Sequence, residues 1–388
     1  MKPAIAFIHQ AFPYSGAERV TIDVANGLVD RGYAVVVLTP EHCKERYPQG
    51  IDIRFRVVEM PPCRLKASKE AAHWLKEYLL ANDISVIISY RELLYMPWLK
   101  QETGAKFVYV LHNMVGYEYA GGAKWLDPLN RLIYRSKYRR IYKQADAYGV
   151  LCPQYREEVL EMVGRKVCSA LNDDTSLHAK DSSSSDGKLY VLQNPISISI
   201  PVEKVNMQKE KELLYVGRLS HRDKRVDRLL RIWSLIEGRL PGWRLTIVGS
   251  GKKEESLKQM ARKLELQRIT FEGQQSKVQP YYDRSAILCL TSSFEGWPMS
   301  IGEAQMNGVV PVVFDSFAGA FDMITHGVDG LIVPSFSEEA FGEELVKLCT
   351  SGEKLRQMSL NAVEKSREYN IVRTCNSWEA MLSNIMQK

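Results

Sequence analysis

The sequence predicts an α/β protein built of two Rossmann-like, doubly wound parallel-sheet domains. Three observations point to this. At 388 residues the chain is too long for one ordinary core. Short apolar runs alternate with amphipathic helical stretches through both halves. A polar, serine-rich interval then separates the halves. In the first half the strand-like runs are 4–9, 34–39, 86–89, 106–111 and 147–151, rich in Val, Ile and Tyr. Between the first two, residues 18–30 place Val20, Val24 and Leu28 on one helical face, with Gly32 as the stop. Short apolar strands alternating with amphipathic helices imply a parallel sheet covered on both faces.

The second half repeats the rhythm, with strands at 213–217, 245–249, 269–271, 286–290, 310–314 and 331–333. Its helices are expected at 226–237, 253–264, 299–307 and 338–350. Residues 172–188, with four consecutive serines at 182–185, hold too little apolar surface to pack and read as a mobile loop. The halves meet near 194–211, giving domains at 1–200 and 201–370. A final stretch, 371–388, carries Trp378, Leu382 and Ile385 at helical spacing. It reads either as an ordinary terminal helix or as one crossing back to the first domain.

Composition excludes several classes. Apolar residues are 45% and charged residues 25%, an ordinary globular balance. A net charge of +6 without a basic motif does not argue for nucleic acid. The opening apolar run is too short for a signal peptide, and no stretch reaches membrane-spanning length. The expected location is cytoplasmic. Seven scattered cysteines without a C-x-x-C pair read as thiols in a reducing compartment.

The densest constellation is 293–304, Ser-Phe-Glu-Gly-Trp-Pro-Met-Ser-Ile-Gly-Glu-Ala, directly after a strand. That is the carboxyl end of a parallel sheet, where open α/β sheets bind ligands. Pro298 suits the first position of a helix running to Asn307, with Gly308 as its end. Unpaired N–H groups and the positive end of a helix dipole beside a glycine turn suit a diphosphate. Glu295 precedes the helix and Glu303 lies inside it, so the two can reach opposite ends of an extended ligand and accept hydrogen bonds from paired hydroxyls. By spacing alone they are equally two solvated glutamates flanking a turn. A second cluster, Gly217, Arg218 and Lys224, follows another strand. An arginine can bind a phosphate through two N–H groups and a lysine as a point charge, although the neighbourhood is basic in any case.

The 293–304 segment resembles the Glu-x7-Glu signature of retaining GT-B glycosyltransferases of family 4, glycosyl transferases group 1. The resemblance is specific from about 213 to 334 and looser before. It implies two domains facing each other across a cleft, the second binding the nucleotide-sugar donor. It also implies that Glu295 contacts the donor sugar, that Glu303 contacts the ribose, and that the backbone of Gly296, Trp297, Pro298 and Met299 lies near the phosphates. Arg218 and Lys224 would neutralise the leaving diphosphate. Arg225 stands where the family usually has glycine. Gly16 sits in Ser15-Gly16-Ala17-Glu18-Arg19, similar to the family's Gly-Gly-Ala-Glu-Arg turn. His112, at a strand end, matches a histidine placed near the donor sugar. Gly249 follows a second-domain strand, and Gln274, Gln275 and Lys277 fall in a loop that in similar enzymes contacts the base.

With no D-x-D triplet in the chain, transfer is expected to need no metal and no cofactor. The implied reaction is retaining transfer of a hexose or N-acetylhexosamine from a UDP-sugar, with GDP-mannose as the other candidate. The acceptor would be a glycan or lipid-linked glycan. Residues 124–143 interleave seven cations with Trp, Leu, Ile and Tyr, which suits either contact with an anionic membrane or a packed helix with a basic face. Two rival readings are a sugar-nucleotide 2-epimerase of the same architecture and a catalytically silent sugar-binding module.

Overall fold

The computed structural model describes residues 2–13, 16–47, 52–115, 127–164, 187–196, 205–220 and 222–387, with the backbone alone at 46 and 127–131. The serine-rich stretch 172–186 and the start of the basic segment, 124–126, lie outside the described residues. The chain divides into two compact units. One comprises Met1–Pro195 and Ile371–Lys388, the other Ile196–Asn370.

Among the described residues the first unit holds β1 (Ala4–Ile8), β2 (Ala34–Thr39), β3 (Arg56–Glu59), β4 (Ile84–Ser89), β5 (Lys106–Leu111), β6 (Ala147–Val150) and β7 (Leu189–Val191). They form one sheet in the order β3-β2-β1-β4-β5-β6-β7. Each pairing is parallel, and Phe7 of β1 lies between Val37 and Ile88. The central strands are apolar on both faces because helices cover both: Ile5, Phe7, Val37, Leu38, Ile87 and Val108 are fully buried. Each such side chain contributes roughly 1.5–3 kcal/mol. The edge strands β3 and β7 and the helices Lys69–Ala81, Met96–Thr103 and Pro153–Val163 add to the elements expected from sequence. The edge strands are short and half-exposed, so neither carries a long apolar run.

The first helix, Gly16–Asp30, begins two residues before the expected start. It stops at Gly32, whose φ of +83° is a left-handed value glycine adopts at little cost. More than one stripe of it is buried, Thr21, Ile22 and Asn26 as well as Val20, Val24 and Leu28. The reason is a second neighbour, the terminal helix Ile371–Gln387. A Cβ at Gly27 would stand 2.4 Å from Cys375 Sγ, so only glycine permits this approach. Trp378 of the terminal helix is 1% exposed, its ring 5.9 Å from that of Phe7. Glu379 binds Lys2 and Arg31, each at 2.7 Å.

The helix Asp127–Gln144 buries Tyr138, Ile141 and Tyr142 against the unit. It leaves Leu132 and Ile133 exposed among its basic residues. Among the described residues no helix is long and apolar enough to cross a membrane. Of the cysteines described, all are free thiols, and Cys43, Cys152, Cys289 and Cys375 are buried.

The second unit holds β8 (Glu212–Val216), β9 (Arg244–Val248), β10 (Ile269–Gly273), β11 (Ile287–Leu290), β12 (Val310–Phe314) and β13 (Leu331–Val333). Their order is β10-β9-β8-β11-β12-β13, again all parallel. Both sheets reverse direction of winding beside their first strand, β1 against β4 and β8 against β11. Those switch points open a crevice at the carboxyl ends of the strands.

Candidate functional site

In the second unit, β8 leads into Gly217 and Arg218, and β11 leads into Thr291 and the turn carrying Glu295. The two clusters read separately from the sequence therefore flank one switch point. Lys224 Nζ donates to both Glu295 oxygens, at 2.6 and 2.8 Å. The Lys224 side chain is 17% exposed and that of Glu295 8%, so the pair sits largely out of water. Ser292 Oγ donates to Glu295 Oε1 at 2.7 Å.

The two loops are also joined through backbone. Ser293 N–H donates to the Asp223 carbonyl at 2.7 Å, and Thr291 Oγ1 to the Arg225 carbonyl at 3.0 Å. Buried Arg228 donates to the Thr291 carbonyl and to Ser293 Oγ. Arg218 is held by Asp223 at 3.1 Å, yet its side chain is 69% exposed and can turn to an incoming anion. Tyr215 OH donates to the Arg218 carbonyl at 2.9 Å. Burial, and then the nearby charges of Glu295 and Asp223, push the Tyr215 phenol well above its ordinary pKa.

Arg225, in place of the expected glycine, keeps the left-handed path: its φ is 47° and its ψ 46°. A side chain there costs about 1–2 kcal/mol. A two-bond contact between its guanidinium and Asp227 offsets part of that cost.

Pro298 caps the helix Met299–Met306 in extended geometry, so it stands just before the first helical position and not in it, and the helix starts at Met299 as the spacing predicts. Gly308, at φ +68°, follows its end. Glu303 is half-buried and accepts from Tyr282 OH at 2.8 Å. Trp297 turns its ring inward. Its Nε1 donates to Asp322 at 3.0 Å, and the ring meets Tyr369 edge-on at 4.9 Å. What the Gly296–Pro298 turn can offer a ligand is therefore backbone.

The rim continues over β9 and β10. A Cβ at Gly249 would stand 1.9 Å from the Gly217 carbonyl oxygen, so the approach of these two loops requires glycine. Gln274, Gln275 and Lys277 are exposed just past β10, and Gln274 accepts from Ser250 at 3.1 Å. Among the described residues no group of three or more His, Cys, Asp or Glu side chains is placed to hold a metal ion.

Gly16 and His112 belong to the first unit. Gly16 opens the first helix, exposed. His112 follows β5 and packs against Tyr90, the rings tilted by 41° with centroids 4.0 Å apart. Its Nε2 is buried without a hydrogen-bond partner among the described residues. Burial, then the neighbouring His9, lower its pKa to about 3, against a smaller opposing pull from Glu18. His9 itself lies 3.0 Å from Thr21 Oγ1 and meets the Tyr90 ring edge-on.

An unfolded histidine takes a proton near pH 6.5 and folded His112 does not, so stability is complete above pH 6.5 and falls as pH drops toward 3. We expect His112→Gln to lose less stability than the parent between pH 7 and 5, by on the order of 2 kcal/mol. Urea unfolding at the two pH values measures it, and parallel losses would contradict it.

Sequence reasoning missed Tyr282, Asp223, Ser292 and Arg228 in the second unit, and His9, Thr21 and Tyr90 in the first. His9, Tyr90 and Ser292 follow strand ends, Thr21, Arg228 and Tyr282 lie on helices and Asp223 in a loop, and none belongs to a pattern readable without knowing which strands are neighbours.

Two family models match the chain in order: Glycosyltransferase Family 4 over residues 14–168, and Glycosyl transferases group 1 over residues 199–365. A glycosyltransferase of Haemophilus influenzae is 25% identical over 388 residues, 98% of this chain and 100% of that one. An alpha-1,4-N-acetyl-D-galactosaminyltransferase of Campylobacter jejuni, named for a PP-undecaprenol-linked glycan, is 24% identical over 51% of this chain and 55% of its own length. Among solved structures, HepE of Anabaena, in complex with UDP and glucose, superposes with a TM-score of 0.76 at 16% identity. It covers 98% of this chain and 99% of that one, a likeness of fold. With two parallel-sheet units, each half matched by its own family model, this chain belongs to the group 1 glycosyltransferases of GT-B fold and is a glycosyltransferase.

Proposed function

We propose that the chain transfers a hexose or N-acetylhexosamine from a nucleotide-diphosphate sugar with retention at the anomeric carbon. A UDP-sugar is the favoured donor, ahead of GDP-mannose. The acceptor is a glycan or lipid-linked glycan in surface polysaccharide or glycoconjugate assembly. One observation carries this: Lys224 and Glu295, from opposite sides of the β8/β11 switch point, grip each other with little exposure beside an exposed arginine and a helix N-terminus. The HepE complex with UDP and glucose supports the donor class, and the PP-undecaprenol-linked glycan for which the Campylobacter jejuni relative is named supports the acceptor class.

As the bond between the anomeric carbon and the phosphate oxygen breaks, its electron pair stays on the diphosphate. Arg218, Lys224 and the N–H groups at Gly296–Met299 stabilise that developing charge, and such preorganised stabilisation is often the largest catalytic contribution. Lys224 has three protons and gives two to Glu295 in the resting chain, leaving one for phosphate. Glu295 accepts from sugar hydroxyls and Glu303 from the ribose. Gly249 and Gly217 let the backbone come close, and Gln274, Gln275 and Lys277 meet the base. In the first unit Gly16 faces the phosphates and neutral His112 orients the sugar. The acceptor oxygen attacks from the face the diphosphate leaves, and the departing phosphate oxygen takes its proton. Two cations and a helix tip supply the positive charge, so no metal is required. Contact with an anionic membrane would use the helix Asp127–Gln144, where Leu132 and Ile133 stand exposed.

Melting the protein with UDP- and GDP-sugars tests the donor. A ligand at about 100 times its Kd adds about 2.7 kcal/mol to the native state. We expect a UDP-sugar to raise the melting temperature and Glu303→Ala to abolish the rise. An inverted product would overturn retention, and epimerised donor in the absence of acceptor would replace transfer with epimerisation.

A further inference from the structure

The first unit has its own crevice, at the β1/β4 switch point, and the cations on its wall take no part in the roles given to Gly16 and His112. A cavity of 550 Å³ opens there, lined by Gln10, Arg64, Lys66, Tyr90, Arg91, Glu92, Tyr109 and Lys137. Its walls are fixed in place. Gln10, two residues past β1, donates from Nε2 to the Cys63 carbonyl at 2.8 Å and accepts at Oε1 from Leu65 N–H at 2.9 Å. That amide holds the segment bearing Arg64 and Lys66 at the mouth of the sheet. Ser89, the last residue of β4, fixes the turn that presents Arg91: its Oγ accepts from Arg91 N–H at 3.2 Å and donates to the Arg91 carbonyl at 3.0 Å.

The charge balance is one-sided. Glu92 is the acid in the lining, 6% exposed and already gripped by Arg140 at 2.5 and 2.9 Å. Lys66 lies 3.7 Å from its other oxygen. Arg64 and Arg91 are exposed, and among the described residues neither is paired with an acid. Lys137 adds a fourth cation from the helix Asp127–Gln144. A single carboxylate needs one cation. Guanidinium forks together with lysines, all converging on one polar cavity, suit a multiply charged phosphoryl group.

We propose that this cavity seats a diphosphate group borne by the acceptor, with Arg64 and Arg91 as its principal contacts. The acceptor half of the proposal rests on the glycosyl-transfer reading; the anion site does not. The test is calorimetric titration of the full chain with inorganic pyrophosphate and with farnesyl diphosphate, each with and without saturating UDP. The parent and the double variant Arg64→Gln/Arg91→Gln are compared. Both replacements are at exposed positions, and an unchanged melting temperature confirms folding.

We expect both probes to bind the parent in the presence of UDP, and the double variant to bind them at least 10-fold more weakly while its UDP affinity is unchanged. Complete displacement by UDP, or equal binding by parent and variant, overturns the site. Pyrophosphate bound with farnesyl diphosphate refused overturns the acceptor assignment. Pyrophosphate binding that depends on the two arginines in a chain that does not bind UDP would sustain the anion site and refute a UDP-sugar donor.

Discussion

Lys224→Ala is expected to lower kcat by about 100- to 1000-fold, the usual loss when one preorganised charge-stabilising donor is removed. The same change leaves the Glu295 carboxylate, 8% exposed, without its main partner. Breaking such a pair costs about 3–5 kcal/mol of stability. Activity could therefore fall through folding alone, and the double variant Lys224→Met/Glu295→Gln separates the causes. It removes both charges at once and should melt close to the parent, since neutralising a buried pair is often nearly neutral. Its turnover should remain as low as that of Lys224→Ala. Turnover measured with the donor selected by melting decides it. Recovery of activity in the double variant would mean that the lysine serves the fold and not the leaving group.

Trp378→Ala should cost about 3–5 kcal/mol, the range for deleting a fully buried large aromatic side chain. The ring is 1% exposed and packed beside Phe7 of the interior strand β1, so its loss leaves a cavity under the first sheet. The effect should be confined. Scanning calorimetry is expected to show the transition of the first unit shifted down by on the order of 10 °C, with that of the second unit unmoved. Equal shifts in both transitions would mean that the terminal helix does not belong energetically to the first unit alone.

The parts of the fold legible in the sequence are those buried on both faces. β2, β8 and β12 read as continuous apolar runs because helices cover the sheet above and below. β3 and β7 did not, since an edge strand of three or four half-exposed residues leaves no such run. At the site, Arg218, Lys224, Glu295 and Glu303 were legible because each lies beside a glycine turn or helix start that marks a strand end. Their partners were not. Tyr282 reaches Glu303 across 21 residues, and Lys224 reaches Glu295 across 71. Only the sheet order brings those positions together. His112 was legible as a strand-end histidine, but its sealed Nε2 and lowered pKa depend on Tyr90 and His9, which arrive from two other strands. Arg225 shows the limit of reading glycines: the left-handed turn is kept without one.

The return of the helix Ile371–Gln387 to the first unit has a consequence for biosynthesis. A ribosome finishes the second unit at Asn370, while the first still lacks the segment that covers Phe7 and binds Lys2 and Arg31. The unit begun before the second is thus completed after it. Until the helix Ile371–Gln387 emerges, it waits with one flank of its sheet layer uncovered, the kind of surface that holding chaperones recognise.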